Sequence, residues 1–96
     1  MNLDMFPVKN SKIKSRPEAF GKLVMLDGLP MLCINKDALL VFNACDGMSN
    51  ITSIIELCST HNDMSFREMS KAVSLFIAEL ERLGLVELKK EAISLH

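Results

Sequence analysis

The sequence predicts an α+β domain: a three-stranded antiparallel sheet followed by three helices, in the order of a winged helix-turn-helix with its wing in front. Three observations carry this. Two short apolar runs flank Asp27-Gly28, a hairpin signal. Asn35, Asn50 and Ser65 each precede apolar residues recurring every three or four positions. The chain has 96 residues, of which 49% are hydrophobic and 24% charged, which suits one small core and leaves no room for a second domain.

Along the chain, residues 1–11 show no clear period and read as a flexible N-terminal arm. The domain itself is expected over residues 12–88. Lys12 to Arg16 reads as a short edge strand stopped by Pro17. Ala19 to Leu26 and Met31 to Ile34 form the hairpin, with Asp27-Gly28-Leu29-Pro30 as its loop. Asn35 caps a first helix carrying Ala38, Leu39, Val41, Phe42 and Cys45, and Asp46-Gly47 ends it. Asn50 caps a second, short helix with Ile51, Ile54, Ile55 and Cys58 on one side. Ser65 and Glu68 form a capping box that opens the strongest helix. Its apolar stripe is Phe66, Met69, Val73, Phe76, Leu80 and Leu83, with Ala72 and Ile77 beside it, and Gly84 stops it. Leu85 to Leu88 reads as a short closing strand or extended segment, and residues 89–96 as a C-terminal tail.

Composition excludes several classes. A net charge of −1 supplies no global field for nucleic acid. No apolar run is long enough to span a membrane, and the first residues lack the pattern of a signal peptide. Cys33, Cys45 and Cys58 are odd in number, widely spaced and set among apolar residues. They read as reduced, buried thiols of a cytoplasmic protein, not as a disulfide framework or metal site. His61 lies in a polar turn and His96 is the last residue, so no acid/base or nucleophile set emerges. No metal or cofactor is expected.

Surplus apolar residues are the positive signal. Val24 and Leu26 point one way and Leu23 and Met25 the other; Leu32 and Ile34 oppose Met31 and Cys33 in the same manner. Strands apolar on both faces are either sandwiched within the domain or completed by a partner at a face or an edge. On the long helix, Leu75 falls outside the core stripe, among Glu68, Lys71, Glu79 and Arg82. DNA binding is the competing expectation for a winged-helix order. The second helix has no Lys or Arg and carries Glu56, which makes it a poor groove reader. Lys9, Lys12, Lys14, Arg16 and Lys22 form a modest basic patch near the N-terminus, as Arg67, Lys71 and Arg82 do on the long helix. Either is explained by a solvated face.

A set of short motifs in order resembles a known family. They are Arg16-Pro17-Glu18-Ala19-Phe20-Gly21, the hairpin, Ile34-Asn35 with Ala38, Cys45-Asp46-Gly47, Ile54-Ile55, and Leu80 through Leu83-Gly84-Leu85-Val86. Over residues 12–88 they resemble the PqqD-like family of RiPP recognition elements, and the opening motif is similar to the MftB proteins of mycofactocin assembly. The resemblance implies a non-catalytic, cytoplasmic peptide chaperone of natural-product biosynthesis. Such a protein binds the leader of a ribosomally made precursor peptide and presents it to a modifying enzyme, often a radical S-adenosylmethionine maturase.

The family's leader adds as a strand to the last strand of the wing and seats its side chains against the third helix. Carried over, this makes Met31, Leu32, Cys33, Ile34, Arg67, Lys71, Leu75, Ala78, Glu79 and Arg82 the peptide-binding residues. Arg67, Lys71 and Arg82 would meet acidic side chains of the leader. The same free edge would also allow a homodimer. Nucleic acid and membrane are not expected as partners. The alternative function is a winged-helix transcriptional regulator.

Overall fold

The computed structural model describes residues 1–93. It runs β1 (Phe6–Lys9), β2 (Lys14–Glu18), β3 (Gly21–Met25), β4 (Leu32–Asn35), α1 (Lys36–Ala44), α2 (Ile51–Asn62), α3 (Phe66–Arg82) and β5 (Val86–Lys89). β2, β3 and β4 form an antiparallel meander. β1 and β5 form a separate two-stranded antiparallel sheet. The α+β class, the three-stranded sheet and the three helices agree with the sequence. The second sheet does not appear in that reading.

All three helices start where a side chain can accept from their unpaired amides. Asn35 Oδ1 accepts from the Ala38 N–H at 2.8 Å, and Asn50 Oδ1 from the Ser53 N–H at 2.8 Å. At α3 both halves of the Ser65–Glu68 capping box are formed. The core gathers Ile51, Ile54 and Ile55 of α2 and Val73, Ile77 and Leu80 of α3 against Val24 and Ile34 of the meander. Each such burial contributes roughly 1.5–3 kcal/mol before chain entropy is charged.

Several expectations are corrected. Residues 6–9 are not part of a loose arm: Phe6–Lys9 pair with Val86–Lys89, and Pro7 is fully buried. The carbonyls of Leu3 and Met5 accept from the Thr52 and Ile51 N–H groups at 3.0 Å, so the segment also closes over the start of α2. Pro17 does not stop β2, which runs on to Glu18. β2 is an edge strand, and one of its sides needs no N–H donor. Phe66, the first residue of α3, is 41% exposed instead of lying in the core stripe. Cys45 and Cys58 are buried as expected, whereas Cys33 is exposed.

The tail is also partly docked. Lys89 belongs to β5, and the Ile93 N–H donates to the Gly47 carbonyl at 2.9 Å. His96 lies outside the described residues. No helix among the described residues is long and apolar enough to cross a membrane.

Candidate peptide-binding site

β4 connects without a loop to α1, because Asn35 is both its last residue and the N-cap of α1. It pairs with β3 in the register Gly21↔Asn35, Lys22↔Ile34, Leu23↔Cys33 and Val24↔Leu32. Among the described residues no strand pairs with its other side. None of its four side chains is charged. The usual devices that blunt an edge, Lys or Pro or a bulge, are missing within it.

Two cavities lie at the ends of this strand, and α3 or its exit lines both. The one at the N-terminal end, about 200 Å³, is formed by Val24, Met31 and Leu32 with Leu83 and Leu85. The other, about 360 Å³, lies at Asn35, Asp37, Ala38 and Val41 and is completed by Met69, Ala72 and Phe76 of α3, with Asn62 and Met64 also lining it. At 100° per residue, Ala72, Phe76 and Leu83 fall within about 40° of one another, so one flank of α3 faces the strand's two ends.

The register settles which way each expected side chain points. Ile34 is 2% exposed and belongs to the core, so only its main chain is offered to a partner. Leu32 is on the same inner side and reaches the smaller cavity with Met31. Cys33 points to the opposite, outer face with its cross-strand partner Leu23. On α3, Arg67, Lys71, Leu75, Ala78, Glu79 and Arg82 are all exposed. They occupy a sector of about 120° that abuts the cavity flank, with Glu79 nearest to it. Leu75 is 73% exposed and lines neither cavity.

Charges in this sector are only partly committed. Arg82 Nε donates to Glu79 Oε2 at 2.9 Å, and its Nη2 to Glu79 Oε1. That hydrogen bond, with the charge of the guanidinium, holds the Glu79 carboxyl below its ordinary range. Among the described residues neither Arg67 nor Lys71 has an acidic partner.

Ala72, Phe76, Leu83, Asn35, Asn62 and Met64 line the cavities but are absent from the expected set. A signal for three of them was present: the apolar stripe of α3 is wider than the four positions it buries, and its surplus lies on this flank. Asn62 and Met64 carry no such signal, since a turn brings them in. The chain matches no family model, no curated protein and no solved structure.

Proposed function

We propose that this chain is a non-catalytic recognition element that holds the leader of a precursor peptide by β-strand addition and presents it to a peptide-modifying enzyme. One observation carries the reading: a β4 edge with no charged side chain and, among the described residues, no strand partner, whose ends open into two mainly apolar cavities shared with α3 or its exit. The motif resemblance to PqqD-like proteins supports it. In this reading the β2–β3–β4 meander is the wing of a winged helix-turn-helix.

The mechanism follows from the geometry of a strand. Main-chain donors and acceptors along residues 32–35 pair with the leader and demand little of its sequence. Alternate side chains of the added strand point inward, and the strand's length of roughly 10 Å brings them to one cavity or the other. Selectivity then comes from apolar side chains that fit at Met31 and Leu83 or at Ala72 and Phe76. Once held, the modifiable part of the peptide stays at high local concentration beside the enzyme. The enzyme class is a radical S-adenosylmethionine maturase or another peptide-modifying enzyme.

A regulator reading has less support. α2 carries no Lys or Arg and exposes Glu56, so it would meet phosphates with the wrong charge.

The test is a titration of the small peptide encoded beside this chain into isotope-labelled protein. The expected amide shifts concentrate on residues 31–35 and on Ala72, Phe76 and Leu83. No shift with that peptide, together with a response to duplex DNA that collapses with salt, overturns the proposal in favour of a regulator.

A further inference from the structure

The outer face of the meander is a second surface, distinct from the leader groove. Register places three rows across it: Arg16–Leu23–Cys33, Lys14–Met25, and Glu18–Gly21–Asn35. Directly behind this face lie Val24 and Ile34, which are core. Leu23 and Met25 are half-buried and belong neither to the core nor to the residues packed against it; Cys33 is exposed. Phe20, in the turn between β2 and β3, is 46% exposed. The face therefore has an apolar middle on β3 and β4 and a basic margin on β2.

Charge selects the occupant. Residues 12–36 carry Lys12, Lys14, Arg16, Lys22 and Lys36 against Glu18 and Asp27, a net +3, while the rest of the chain is −4. On the face itself Glu18 is already held by Arg16 Nε at 2.7 Å. Lys14 and the remaining Arg16 donors have no carboxylate among the described residues. A second copy stacked here would bring no free carboxylate to Lys14. Nucleic acid would meet the basic margin, but Leu23, Met25 and Cys33 in the middle of the face offer neither a stacking ring nor a polar group to read a base, and Asn35 Oδ1 is engaged as the cap of α1.

We infer that this outer face docks a carboxylate-rimmed, apolar-centred protein surface, and that the surface belongs to the modifying enzyme. The inference rests on the recognition-element reading only for the identity of that partner. The division of labour is spatial: the β4 edge and α3 hold the leader, while the opposite side of the same sheet faces the enzyme.

The probe is a short synthetic peptide alternating glutamate and leucine, with a lysine–leucine counterpart, titrated into the labelled full chain. Expected shifts with the acidic peptide fall on Lys14, Arg16, Leu23 and Met25. The double variant Lys14→Glu, Arg16→Glu weakens its binding roughly tenfold and leaves leader binding unchanged. If that variant loses its folded spectrum, Lys14→Gln with Arg16→Gln serves instead and weakens binding less. Equal response to both peptides overturns the inference. So do shifts confined to Ala72, Phe76 and Leu83, or a face that answers only to phosphatidylserine vesicles or duplex DNA. Failure of the leader to shift residues 31–35 is a separate readout, and it tells against the groove and not against this face.

Discussion

A Cβ on Gly21 would stand 2.1 Å from the Ile34 carbonyl oxygen and 2.9 Å from the Asn35 carbonyl carbon. Its φ of +149° adds strain for any L side chain. β3 and β4 approach there only because the side chain is absent, at the Gly21–Asn35 pair that closes the β3–β4 ladder. Gly21→Ala is expected to destabilise the chain by roughly 2–4 kcal/mol, read by chemical denaturation. The cysteines make the other argument at this scale. Burial pushes the Cys45 thiol up to about 12, partly opposed by Lys9, and raises Cys58 in the same direction. An unfolded thiol ionises near its ordinary 9.0, so above that pH the unfolded state sheds protons that the folded state keeps. Stability is therefore fully present below about pH 9 and falls as pH rises toward 12, by at most about 1.4 kcal/mol per pH unit for one thiol. Denaturation across that window should show a shallower alkaline decline for Cys45→Ala than for the parent chain. A parallel decline would mean that Cys45 ionises in the folded state as freely as in the unfolded one.

Among the elements, those with local signals were legible and those made by distant pairing were not. Asn35, Asn50 and Ser65 announce the three helices, and each caps its helix through the expected side chain. Asp27-Gly28 marks the β3–β4 connection, with Gly28 at φ +85°. β1 had no signal because Phe-Pro-Val-Lys contains a proline and no alternation, and its partner β5 lies at the far end of the chain. At the site, the strand edge was legible in Met31 to Ile34, but its facing was not, because both sides of that strand are apolar. Register decided it, and register depends on where β3 pairs. On α3, the sequence pattern singles out Leu75, whereas the cavity at Asn35 is lined by the less conspicuous Ala72 and Phe76. A pair of variants separates the two. Leu75→Asp should leave stability within about 0.5 kcal/mol of the parent, since the side chain is 73% exposed. Ala72→Asp places a charge at the cavity wall and should weaken leader binding the more of the two by calorimetric titration. A larger loss from Leu75→Asp would mean that the leader crosses onto the exposed sector with Lys71 and Arg82.

At the scale of the whole molecule, two sheets divide the work. β1 pairs with β5 and also ties to the connection between α1 and α2: the Asn10 N–H donates to Leu85, the Lys9 N–H to Cys45, and Gly47 donates to Pro7. Removing residues 1–9 would strip the partner from β5 and uncover the start of α2. The expected result is a loss of several kcal/mol, seen as a lowered Tm, with the transition still cooperative because one core spans all three helices. In the proposed reading the meander does the binding, with charge on one side of it and an uncharged edge on another. That separation gives the two proposed contacts opposite responses to salt. Leader binding at β4 relies on main-chain hydrogen bonds and apolar side chains, and no charged residue lies in the strand. Docking at Lys14 and Arg16 relies on exposed charges, which are screened beyond about 10 Å at 0.1 M salt. Raising salt from low to near-molar concentration should weaken the acidic probe several-fold and leave leader affinity within about twofold. A leader that releases as readily as the acidic probe would place Arg67, Lys71 and Arg82, and not the strand edge, at the centre of its grip.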